Sequence, residues 1–225
     1  MAGMEPKFDV LPPGSGLPPT KQPQSRRGLW GIIVGLGALL IKFALPALLF
    51  LKSVGGMLLS VGAFMLMGWT WQVAIGLVIL ILVHEMGHFI AAKIYRLPVS
   101  IPMFIPFVGA YVMHGRPISS WSHAVIAYAG PLAGGLGGWA CYLLAVNLDY
   151  PWLYTTAFYT FILNLFNLLP VSPLDGSKIW PTFASKWTPD VAFEDRAYMG
   201  LFLAALIAGL LLGCLECWRY SHPAI

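Results

Sequence analysis

The sequence predicts an all-α membrane protein, a polytopic helical bundle of about five to six apolar segments with a short extended or hairpin element near 97–117. Three observations carry this. The 225 residues are 58% hydrophobic and only 10% charged, with a mean hydropathy of +0.76, well outside the balance of a soluble chain. Uncharged runs at 53–83, 124–148, 152–174 and 197–215 are each near or above the roughly 18–20 residues that cross hydrocarbon as a helix. Between two of those runs, the stretch from Leu97 to Pro117 is too proline-rich for a helix and too apolar for a solvated loop.

In chain order, residues 1–28 hold Pro12-Pro13, Pro18-Pro19, Gly14 and Gly16 without apolar periodicity. That composition buries too little to order itself, so a disordered tail is expected; it also lacks the apolar run and cleavage site of a secretory signal. Residues 29–52 are apolar, but Lys42 and Pro46 interrupt them and Lys52 closes them. A lysine at the bilayer centre costs about 2.5–3.5 kcal/mol, which points to an interfacial or partly inserted segment. Helices are expected at 53–68 and 71–95, separated by an aromatic turn at Gly68-Trp69-Thr70-Trp71. The 97–117 region reads as a hairpin near the membrane surface, with Gly109 close to its turn. Helices at 121–148 and 152–169 follow, joined by Asn147-Leu148-Asp149-Tyr150-Pro151, then a polar segment at 175–196 and a last helix at 197–216. The chain thus divides into a tail (1–28), an interfacial segment (29–52), a transmembrane core (53–180), and a polar connector with a C-terminal helix (181–225).

The net charge of +4 is scattered over juxtamembrane positions, so it reads as a topology signal, with the lipid bilayer as partner and no nucleic acid. If 29–52 does not cross, then Lys93, Arg96, Arg116, Lys178, Lys186 and Arg196 share one side with the N-terminus, and only Arg219 lies opposite. By the positive-inside rule that side is cytoplasmic. Cys141, Cys214 and Cys217 make no disulfide framework; the lone Cys-x-x-Cys reads as packing. Trp69, Trp71, Trp121 and Trp152 suit interface belts.

The chemistry centres on His84-Glu85-Met86-Gly87-His88, an H-E-x-x-H inside an apolar helix. Two histidines four apart are offset by about 40° around the axis and about 6 Å along it, so both imidazoles can reach one zinc ion while Glu85 projects beside them. Three titratable groups within five residues of a membrane helix are costly and mark function. A catalytic zinc site takes a third protein ligand and leaves a position for water. Carboxylates are scarce here, and Asp175 is the outstanding candidate: Pro170 and Pro173 end the preceding helix, and Gly176 permits a tight turn that aims the carboxylate back into the bundle. Gly130, Gly134 and Gly138 form a small-residue stripe suited to close packing against the histidine helix. His114 and His123 read as surface histidines, and Asn164 as a structural residue.

H-E-x-x-H in one transmembrane helix, followed by Asn167-Leu168-Leu169-Pro170-Val171-Ser172-Pro173-Leu174-Asp175-Gly176 at the end of another, resembles the site-2 protease family of intramembrane metallopeptidases. Ala129-Gly130-Pro131 extends the likeness to roughly residues 53–180; Ser177 stands where the family often has a second glycine. The resemblance implies one Zn2+ per chain held by His84, His88 and Asp175, with Glu85 as catalytic acid/base and Asn167 donating to the oxyanion. It implies an intramembrane metalloendopeptidase acting on a transmembrane protein substrate in regulated intramembrane proteolysis. A homo-oligomer or an adaptor stays open at this stage, as does a metal-transport role for the same ligands. A helical substrate hides its scissile carbonyl, so an unwound strand pairing with the edge of the 97–117 region is the expected mode of presentation.

Overall fold

The structure is a computed structural model describing residues 26–105, 109–116, 119–184 and 188–221. The expected tail up to residue 25, the hairpin tip at 106–108, Pro117 and Lys186 lie outside the described residues. Two compact units divide at Pro46. The first, described from Arg26, is helical, and its residues from Ile32 to Leu45 present large apolar side chains all round, as lipid-facing helices do. The second, from Ala47 onward, holds everything that bears on the site.

Six helices and one small sheet make up the described residues: α1 (Arg26–Leu66), α2 (Trp71–Ile94), β1 (Met103–Ile105), β2 (Gly109–Tyr111), α3 (Ser120–Leu148), α4 (Pro151–Asn167), the short α5 (Gly176–Ile179) running into a 3-10 turn (Trp180–Phe183), and α6 (Phe193–Ser221). Four of them, α1, α2, α3 and α6, are long and apolar enough to span a membrane. The separate segments expected at 29–52 and 53–68 are one helix, which also begins three residues inside the expected tail. The reason is that Lys42 and Lys52 penalise membrane depth, not helicity, and Ala47, Leu48, Leu49 and Leu51 are good helix formers.

Local chemistry sets the other boundaries. Thr70 caps α2 by accepting from the Val73 N–H, after a turn at Gly68 (φ +94°) that glycine adopts without strain. Leu97 closes α2 by donating its N–H to the Ala92 carbonyl, with Arg96 in the left-handed region at φ 57°. Ser119 and Ser122 form a reciprocal capping box at the start of α3. Pro151 opens α4, where its missing N–H costs nothing.

The expected hairpin is present. β1 and β2 are antiparallel, pairing Met103 with Tyr111 and Ile105 with Gly109, and the ladder extends through a bridge between Val99 and His114. It is pinned to α1: Ser53 Oγ donates to the Pro102 carbonyl at 2.6 Å, and Gly56 lets the Phe104 backbone approach closely.

Small residues bring the helices together, as hydrophobic burial cannot distinguish a helix from lipid. Gly87 of α2 lies against the Ala129 carbonyl of α3. The stripe on α3 is shared between neighbours: Gly130 faces His88 of α2, while Gly134 and Gly138 face Asn164 and Phe161 of α4. Phe161, fully buried, fills the centre between α3 and Gly213 of α6.

Candidate metal centre

His84, Glu85 and His88 sit on the buried face of α2, at 7%, 6% and 8% exposure. Asp175 follows α4 through a proline-broken turn and is 7% exposed. Close approach there depends on Gly176, where a β-carbon would run into the Leu168 and Leu169 carbonyls. Residues 87 to 91 positions apart therefore meet. Asp175 Oδ2 lies 3.1 Å from His84 Nε2 and 3.2 Å from His88 Nε2, and the two Nε2 atoms are 3.1 Å apart.

The far side of each ring settles which nitrogen carries the proton. His88 Nδ1 lies 2.8 Å from the Ile126 carbonyl, which can only accept. His84 Nδ1 lies 2.9 Å from Asn164 Oδ1, and the Asn164 amide nitrogen is occupied in donating to the Thr160 carbonyl at 2.7 Å. Both neutral rings thus hold their proton on Nδ1, so two Nε2 lone pairs and a carboxylate oxygen converge. Three acceptors packed this closely repel one another unless a cation lies among them. A tetrahedral zinc with bonds of about 2.0–2.1 Å separates its ligand atoms by about 3.3 Å, close to the observed triangle. The donor set, two imidazoles and one carboxylate with room for a further ligand, is one that zinc accepts. Glu85 offers a carboxylate within 4.8 Å of the histidine nitrogens.

The group opens into a cavity of about 380 Å³. Leu80, Ile81, Leu163 and Phe166 make an apolar wall, the hairpin contributes Ile105, Ala110, Tyr111 and Val112, and Asn167 and Lys178 also face it. All five residues singled out in the sequence, His84, Glu85, His88, Asn167 and Asp175, line this one space. Lys178 Nζ stands 3.5 Å from Asp175 Oδ1, leaving Oδ2 for the imidazoles. Two sequence expectations change. His114 is not a plain surface residue: it lines the cavity from the hairpin, donates Nδ1–H to the Gly115 carbonyl, and lies with its ring 6.4 Å from that of His123. Asn164 touches a site histidine directly, and nothing in the spacing of α4 distinguishes it from Asn167 in advance.

Residues 72–150 match peptidase family M50. Over 139 residues, 58% of this chain and 40% of the relative, the sequence is 29% identical to a zinc metalloprotease of Methanocaldococcus jannaschii. Over 143 residues, 61% of this chain and 48% of the relative, it is 32% identical to stage IV sporulation protein FB of Bacillus subtilis. The similarity thus spans less than half the length of either curated relative. No solved structure matches the chain at a significant level.

Proposed function

We propose that the protein is an intramembrane zinc metalloendopeptidase, hydrolysing peptide bonds of transmembrane or membrane-proximal segments, a reading supported by the match of residues 72–150 to peptidase family M50. The observation that carries the reading is the convergence of His84 Nε2, His88 Nε2 and Asp175 Oδ2 within 3.2 Å, with each ring's other nitrogen already engaged.

His84, His88 and Asp175 hold one zinc ion in this proposal. When bound, zinc supplies Lewis acidity, bringing a water towards neutral pKa and polarising the scissile carbonyl. Glu85 takes the proton from the attacking water and returns it to the leaving amine. Asn167, at the end of α4 and in the cavity wall, donates its amide to the developing oxyanion. Lys178 keeps Asp175 Oδ1 occupied, so the carboxylate presents a single oxygen. The apolar wall of Leu80, Ile81, Leu163 and Phe166 admits a hydrophobic segment and limits bulk water. An unwound substrate strand pairs with the hairpin, whose β2 residues face the same cavity.

The N-terminus and the mouth of the cavity face the cytoplasm in this reading. Lys93 and Arg96, at the end of α2 only a short way beyond His88, and Lys178 in the cavity wall supply the positive charge that favours that side.

Glu85→Gln is the test. The variant keeps its full complement of zinc, and cleavage of a transmembrane reporter falls by at least about 100-fold, the range in which a general acid/base contributes. Retained proteolysis refutes the role of Glu85; a wild-type chain that binds zinc without cleaving anything favours metal transport instead.

A further inference from the structure

We infer that Asn164 is a positioning residue of the metal centre, holding His84 in the one tautomer whose Nε2 lone pair faces the ion and thereby setting how tightly zinc is bound. This rests on the proposed function, since it concerns the affinity of the site assigned there.

A neutral imidazole carries one proton, and only its unprotonated nitrogen can ligate. Asn164 decides which nitrogen that is for His84. Its Nδ2 donates to the Thr160 carbonyl at 2.7 Å, so Oδ1 is left facing His84 Nδ1 at 2.9 Å. Flipping the amide would set its oxygen against the carbonyl oxygen, an arrangement with no proton to share. Packing locks the choice. Asn164 is only 2% exposed, and Gly134 of α3 closes its other side: a β-carbon there would fall on Oδ1 and lie 2.7 Å from Nδ2.

The two histidines differ in this respect. His88 is oriented by a backbone carbonyl, that of Ile126, which no substitution removes. His84 is oriented by a side chain, so its geometry is exposed to mutation at one position. An asparagine also adds no charge. Glu85 and Asp175 already supply two carboxylates against a divalent cation, and a neutral acceptor at 164 leaves that balance intact.

The experiment measures zinc affinity of the full-length protein in detergent, by competition with a chromophoric chelator, for wild type, Asn164→Leu and Asn164→Ala. Removing the acceptor in the leucine and alanine variants lowers affinity by about 10–100-fold, and histidine 15N spectra of the metal-free proteins show His84 protonated at Nδ1 in wild type and in mixed tautomers in the variants. Thermal unfolding of the metal-free proteins identifies any variant that does not fold, and alanine replaces leucine if the larger side chain is the one that fails. A folded leucine or alanine variant that holds zinc within about twofold of wild type overturns the inference, as does one whose His84 keeps the wild-type tautomer. A wild-type protein with no stoichiometric zinc overturns the proposed function itself, so the two failures are distinct.

Discussion

Gly130→Ala probes the packing beneath the metal centre most directly. A β-carbon built on Gly130 falls on Nε2 and Cε1 of His88 and lies 2.8 Å from Cδ2. Ordinary contact begins at 3.4 Å, so the ring must retreat by about 0.6 Å at Cδ2 and further at Nε2. Metal–ligand distances tolerate only about 0.2 Å. The ring is tied to the Ile126 carbonyl of the same helix, so retreat from α3 also breaks the bond that fixes its tautomer. Parting the helices relieves the overlap only by opening the contact of Gly87 with the Ala129 carbonyl beside the site and drawing His88 away from α3. Intrinsic helix propensity acts in the opposite direction, favouring alanine by about 1 kcal/mol. The expected result is a helical, folded protein whose zinc affinity falls by at least about 100-fold, the upper end of the loss caused by disturbing a ligand's support, with cleavage falling in parallel. Zinc per chain by mass spectrometry and cleavage of a transmembrane reporter are the two measurements. Gly62→Ala, in α1 with open space around it, is the control and stays at wild type. A Gly130→Ala protein with normal zinc and normal cleavage refutes the placement of His88 against α3.

Two further outcomes follow from the periphery of the site. Val112→Pro, just beyond the hairpin's second strand and in the cavity wall, removes a backbone donor. Cleavage of a reporter then falls by at least about threefold, the value of one hydrogen bond, while zinc content is unchanged; unchanged cleavage counts against substrate pairing on the hairpin. Asp190 accepts from the Ser120 N–H and Oγ–H, both at 2.8 Å, and these bonds hold its carboxyl below the usual carboxylate range. A lowered folded-state value means the stabilisation is complete above the unfolded value, about 4, and is lost as pH falls through the lowered one. The melting temperature of wild type therefore exceeds that of Asp190→Asn near neutrality, and the gap closes in acid; a gap that widens in acid contradicts the assignment.

Much of the site is legible from the chain because it is local. Four-residue spacing on one helix places His84 and His88 on one face whatever surrounds them, and Pro170, Pro173 and Gly176 oblige the backbone to turn where Asp175 stands. The hairpin is legible for the same reason, as the prolines around it exclude helix. The continuity of α1 is not, since its lysines report on membrane depth and leave helicity alone.

What amino-acid order determines by itself, then, is the set of apolar spans, the four-residue histidine spacing on α2 and the proline-broken approach to Asp175. Tertiary structure alone decides that Asn164, three residues from the more conspicuous Asn167, meets His84, that His114 turns into the cavity, and that Gly130 is the floor under His88. Those contacts depend on how each helix is rotated about its axis. In helices apolar on every side, no hydrophobic stripe records that rotation; it is set by which small residues let neighbouring backbones approach.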